Sequence, residues 1–158
     1  MPRQVVRESL YAFAAVEPQT ARLAWGLWPK CNTASMSLFL LELLTVWPDR
    51  QLLLILDGAG WHKARALPVP ERLRLLHLPP YCPECNPTEH IWDDVREKGF
   101  ANRYFATLDA VEVGLKTQLM LLAADTARLR SLTLFPWVRE GFLSSIPQLN
   151  GGAGSASD

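Results

Sequence analysis

The sequence predicts an α/β fold, and three stretches carry that prediction. First, Leu52-Leu53-Leu54-Ile55-Leu56 is an unbroken apolar run that ends at Asp57 with Gly58 behind it, which reads as a strand buried on both faces. Second, Met36, Phe39, Leu40, Leu43, Leu44 and Trp47 recur at helical spacing just before that strand. Third, Arg72 to Leu78, with Leu73, Leu75, Leu76 and Leu78 apolar, reads as another short strand and is followed by a helix start at Asn86-Pro87. Strands alternating with helices are the pattern of an α/β layer structure.

Bulk properties narrow the class. The chain has 158 residues, 49% of them apolar and 20% charged, with a formal net charge of zero. That composition suits one globular domain with a real core, expected over residues 1–147, followed by a Gly/Ser-rich disordered tail over 148–158. Zero net charge excludes a strongly basic chain, so any phosphate contact must come from local patches. No apolar run approaches the roughly 20 residues of a membrane span, and Met1-Pro2-Arg3-Gln4-Val5-Val6 lacks the apolar core of a signal peptide. The expectation is a cytoplasmic protein with no membrane partner. Three cysteines without an export signal are expected to be free thiols.

In chain order, Ser9 to Val16 and Ala21 to Trp28 read as a hairpin separated by the turn residues Glu17-Pro18-Gln19-Thr20. A helix capped by Asn32 or Thr33 follows and stops at Pro48-Asp49. A short helix or turn is expected around Trp61, His62, Ala64 and Leu67, ended by Pro68 and Pro70. After the second strand, four prolines between Pro79 and Pro87 stiffen a loop. The next helix has Asn86 as N-cap and Glu89 at its third position, buries Ile91, Trp92 and Val95, and ends at Gly99. Helices are then expected over Leu108 to Ala124 and around Thr126 to Leu132, with Phe135-Pro136-Trp137 as an apolar cap.

The candidate chemistry centres on Asp57, at the C-terminal end of its strand, where α/β sheets gather reacting groups. A lone Asp before Gly58 also reads as a turn cap. Glu89 falls in the first turn of a helix that starts soon after the next strand, so the two carboxylates can meet above the sheet edge. Paired carboxylates repel unless a cation stands between them, and Mg²⁺ or Mn²⁺ fills that role where phosphates react. The other reading of Glu89 is a capping residue that bonds back to Asn86 and favours the helix dipole. Cys82 and Cys85 form Cys-x-x-Cys, which read alone is half of a zinc site with His77 or His90, a redox pair, or two small apolar residues.

The block Leu56-Asp57-Gly58-Ala59-Gly60-Trp61-His62-Lys63, followed by Leu78-Pro79-Pro80-Tyr81 and by Asn86-Pro87-Thr88-Glu89 with Trp92 three residues on, resembles the catalytic domain of DDE-type transposases of bacterial insertion elements in the mariner-like superfamily. The similarity in layout runs from about Leu10 to Val138. It implies a ribonuclease H-like mixed sheet with helices on both faces, with Asp57 and Glu89 as the second and third acids of a metal-binding triad. The implied reaction is cleavage and strand transfer at transposon ends with Mg²⁺ or Mn²⁺. His62 would neighbour the site, and Lys63, Arg65, Arg96, Lys98 and Arg103 would contact DNA phosphates.

Two departures shape the expectation. The family's leading Asp lies on a strand before the hairpin, and none of Glu8, Glu17, Glu42 and Asp49 ends an apolar strand in that place. The first catalytic strand is therefore expected to be missing, along with the basic helix-turn-helix region. On this reading the chain is the C-terminal part of a transposase, working as a homodimer or with an upstream transposase segment. The alternative is a non-catalytic fragment that binds DNA or full-length transposase. The second departure is Cys82 and Cys85, where Ser and Leu are usual.

Overall fold

The computed structural model describes residues 9–57, 67–80 and 82–145. Its first element is an antiparallel hairpin of β1 (Tyr11–Glu17) and β2 (Arg22–Trp28), with Tyr11 opposite Trp28 and Glu17 opposite Arg22. The reversal needs a left-handed residue, and buried Ala21 takes it at φ 53°. Helix α1 (Thr33–Val46) begins where the Asn32 side chain accepts a hydrogen bond from the Ser35 N–H at 2.9 Å. Behind Pro48 the chain enters β3 (Leu52–Leu56), which pairs in parallel with β4 (Leu73–His77), Leu52 opposite Leu73. A 3₁₀ turn (Pro83–Cys85) leads into α2 (Thr88–Val95) and a π turn (Arg96–Phe100). Three helices follow: α3 (Leu108–Ala124), α4 (Thr126–Thr133) and α5 (Pro136–Ser145). Thr107 caps α3 and Asp125 caps α4 through their side-chain oxygens.

The hairpin alternates between two cores. Phe13, Ala15, Ala24 and Trp28 face α1, whose Met36, Phe39, Leu40, Leu43 and Trp47 also pack on Leu54, Leu56 and Leu73. Val16, Leu23 and Trp25 face the other way, onto Ile91 and Val95 of α2, Leu119 and Leu122 of α3 and Leu129 of α4. This second core is tied by charge as well. Asp94 of α2 pairs with the Arg128 guanidinium of α4 and, at 3.5 Å, with Lys98.

Several expectations are corrected. The sheet is not continuous among the described residues: it is two two-stranded sheets, β1-β2 and β3-β4. Strand β3 is covered on one face only, since Leu53 and Ile55 are 62% and 50% exposed while Leu52 and Leu54 pack on the α1 core. Gly99 does not stop a helix. It sits buried inside the π turn, where a Cβ would come within 2.6 Å of Gln118 Cγ on α3, so it serves close packing. Phe135-Pro136-Trp137 leads into a helix, and Phe135 stands edge-on to the His90 ring at 4.8 Å. Cys82 and Cys85 are not free thiols. The 3₁₀ turn stacks residues three apart, bringing their Cα atoms to 5.4 Å, and the two form a disulfide. The expected turn around Trp61 and His62 and the tail over 148–158 lie outside the described residues.

Because α1 joins both sheets, its buried face should dominate stability. Leu40→Ala, at a side chain with no exposure, is expected to cost about 2–5 kcal/mol. Leu38→Ala, on the outer face of the same helix, is expected to change stability by no more than about 0.5 kcal/mol. Urea denaturation of the two variants beside the parent chain checks the contrast.

Candidate active site

Asp57 follows the last residue of β3 directly, so the parallel pairing of β3 with β4 carries it to the C-terminal edge of that sheet. Glu89 is placed independently, by the first turn of α2. The stiff loop ahead of it is closed by a side-chain cap: Asn86 Oδ1 accepts from the Thr88 N–H at 3.1 Å and from Thr88 Oγ1 at 2.6 Å. Glu89 and Asp57 both line a cavity of about 630 Å³. The two carboxylates predicted from a strand end and a helix start thus line one cavity from different elements. Asp57 is exposed and Glu89 half-buried, so water reaches both.

The rest of the cavity explains how it is held open. One wall is β1 along its whole length and the other is β3. Phe39 and Leu43 of α1, Trp92 of α2 and Trp137 of α5 line the cavity as well. Sequence reading passed over Cys31, which follows β2 and lines the cavity near Asp57. Its thiol is pushed above the usual range, first by burial and then by the negative charge of Asp57. It also missed Arg50, a cavity residue that pairs with Glu17 at 3.9 Å. No local pattern marks either residue, because each reaches the site through the packing of distant segments.

The predicted DNA contacts divide. Arg96 and Lys98 stand on the π turn and pair with Asp93 and Asp94, and Arg103 is exposed in the segment beyond it. None of these three is among the described residues that line the cavity. His62, Lys63 and Arg65 lie outside the described residues, as does Tyr81.

The donor set fits a hard divalent cation: Asp57 and Glu89 are oxygen donors in a water-accessible cavity, as Mg²⁺ and Mn²⁺ require. Among the described residues, neither belongs to a group of three His, Cys, Asp or Glu side chains close enough to share a metal ion. The group that does form, Cys82, Glu84 and Cys85, has both its sulfurs committed to the disulfide. That removes the zinc reading of Cys-x-x-Cys in this state.

The chain belongs to the family described as DDE superfamily endonuclease, whose model matches residues 3–112. It is 34% identical over 128 residues to the uncharacterized protein y4pE/y4sA of Sinorhizobium fredii (strain NBRC 101917 / NGR234), a match covering 80% of this chain and 95% of that protein. No solved structure matches. Endonucleases of this superfamily act on DNA and generally use divalent metals. No described helix is long and apolar enough to cross a membrane.

The Cys31 thiol reports on the site. In Asp57→Asn the smaller of its two perturbations is gone, so more thiolate is present at pH 8. Alkylation by iodoacetamide is expected to be faster than in the parent chain, yet slower than for an unperturbed thiol, because burial remains. Timed mass spectrometry of the alkylated chain measures this.

Proposed function

We propose that the chain is the catalytic part of a transposase, with Asp57 and Glu89 as two of the acids that bind Mg²⁺ or Mn²⁺ during cleavage and strand transfer at transposon ends. The observation that carries this reading is that these two carboxylates, fixed by unrelated elements, line one cavity in a member of the DDE endonuclease family. A bound divalent ion would activate the attacking oxygen and stabilise the leaving oxygen at phosphorus, a task usually shared by two ions roughly 3.5–4 Å apart.

The chain's own residues supply the rest. Asp57 and Glu89 would hold the ion in a cavity that water reaches, each carried by its own element, β3 for Asp57 and α2 for Glu89. His62 is proposed to neighbour the scissile phosphate. Lys63, Arg65, Arg96, Lys98 and Arg103 are proposed to hold the DNA backbone, in which case binding weakens steeply with salt. The ribonuclease H-like identity of the fold belongs to this proposal. So do a single domain over residues 1–147, action as a homodimer or with an upstream transposase segment, and a cytoplasmic location.

Two carboxylates are one short of the usual triad, which sets the test. The chain alone is expected to show no Mg²⁺- or Mn²⁺-dependent cleavage of transposon-end DNA. Adding the polypeptide encoded just upstream in the same insertion element, with an Asp at the end of an apolar strand, is expected to restore cleavage. Asp57→Asn or Glu89→Gln should then lower the restored rate by about a thousandfold or more, a loss of roughly 4 kcal/mol of transition-state stabilisation. Robust cleavage by the chain alone, abolished by Asp57→Ala, would overturn the need for a third acid from elsewhere. Association with full-length transposase without restored cleavage favours the other reading, a non-catalytic fragment that interferes with assembly.

A further inference from the structure

The turn ahead of α2 carries a cluster that the proposed chemistry does not use. Cys82, Glu84 and Cys85 each offer one ligand atom, and the three atoms lie within 4.8 Å of one another. The backbone gathers them. Cys85 N–H donates to the Cys82 carbonyl at 3.0 Å, and Pro83 inside the turn and Pro87 just beyond it restrict the chain. This closure belongs to the main chain, so it does not depend on the bond between the two sulfurs.

The disulfide accounts for the sulfurs and not for the carboxylate beside them. Glu84 Oε1 stands 3.6 Å from Cys82 Sγ. A disulfide sulfur has no proton to offer that oxygen, and two thiolates beside a carboxylate repel it. A cation among them makes all three donors favourable at once. The cluster takes in neither His77 nor His90, the partners that Cys-x-x-Cys alone suggested; the His90 ring is edge-on to Phe135 instead.

We propose that this turn, once its disulfide is reduced, binds one soft divalent cation of the zinc class through the Cys82 and Cys85 thiolates and the Glu84 carboxylate. Glu84 is exposed and both cysteines are half-buried, so the fourth tetrahedral position falls to water. With zinc–sulfur bonds of about 2.3 Å the two sulfurs stand roughly 3.8 Å apart in a tetrahedral site. Rotation about the two Cα–Cβ bonds supplies that spread with the Cα atoms left at 5.4 Å. The steps balance. A dithiol reductant gives two electrons and two protons to the Cys82–Cys85 bond and becomes a disulfide itself, leaving two thiols in the turn. The cation then displaces both thiol protons to solvent as it bonds the sulfurs.

This inference does not rest on the proposed function, because the donors differ. Asp57 and Glu89 offer oxygen alone, which suits Mg²⁺ or Mn²⁺, whereas two thiolates select zinc over either. The turn nevertheless bears on the cavity. Cys85 lines it, and the next residue, Asn86, accepts from the Thr88 N–H at the start of α2. Disulfide and bound cation are alternative clips on the chain that enters α2.

The test compares the full chain with its disulfide intact and after reduction by a phosphine that is then removed without air. Each form is titrated with Zn²⁺ in a large excess of Mg²⁺, which fills oxygen-only sites, against a chromogenic zinc chelator. The reduced chain is expected to take up one Zn²⁺ at least about a hundredfold more tightly than the oxidised chain. Co²⁺ in its place is expected to show sulfur-to-cobalt charge transfer and tetrahedral ligand-field bands. In the reduced chain Zn²⁺ is expected to slow iodoacetamide alkylation of Cys82 and Cys85 and to leave Cys31 at its own rate. Glu84→Gln is expected to weaken Zn²⁺ binding by at least about tenfold, with an unchanged circular dichroism spectrum. Equal Zn²⁺ affinity in the two redox states, a cobalt spectrum without charge transfer, or protection of Cys31 equal to that of Cys82 and Cys85 would overturn the site. Unchanged affinity in Glu84→Gln would overturn its three-donor set. If Glu84→Gln does not fold, the two redox states of the parent chain still decide.

Discussion

The packing of α1 holds this structure together. β1 and β3 do not hydrogen-bond to each other, so their separation and angle are set by one helix face that touches both. Met36, Phe39, Leu40 and Leu43 present that face, and Trp47 closes its end with an indole N–H on Glu17. Apolar contact of this kind is non-directional and tolerates a space between two strands, whereas a backbone ladder would have closed it. The cavity lined by β1 and β3 is a consequence of helix packing holding the two strands apart.

The same arrangement explains how two acids come to share a site without a local motif that joins them. β3 is a short strand whose register against β4 decides where Asp57 emerges, and α2 is held by the second core through Ile91 and Val95 and by the Asp94–Arg128 pair. Each carboxylate is therefore positioned by a rigid element, and neither depends on a loop for its placement. The stiff, proline-rich segment between them adds a fixed entry to α2, where Asn86 takes the capping role and leaves Glu89 available to the cavity.

Much of this was legible beforehand, for identifiable reasons. The spacing of the α1 side chains, the apolar run before Asp57 and the Leu108–Ala124 helix are dense local signals, and the structure places those elements within a residue or two of expectation. The positions of Asp57 and Glu89, at a strand end and in the first turn of a helix, were legible because local chemistry defines such boundaries. The errors have one source. Continuous apolarity in Leu52–Leu56 implied burial on both faces, yet only the face on α1 is covered, since apolarity records what a strand is suited to and not what packs on it. The Cys82–Cys85 bond escaped for a related reason: spacing allows a disulfide, a metal site or simple packing, and only the 3₁₀ turn chooses among them.

By itself, the sequence determined the order and type of the elements, the candidate acids and the resemblance to the DDE family, because periodicity, capping and turn chemistry act over a few residues. Tertiary structure decided what those elements enclose. That β1 and β3 line one cavity while belonging to separate sheets is set by contacts between residues more than twenty positions apart, such as Trp47 with Glu17. No window of sequence contains such a contact. Strand ends and helix starts nominate Asp57 and Glu89, but only the packing of α1 and α2 brings them to the lining of one cavity.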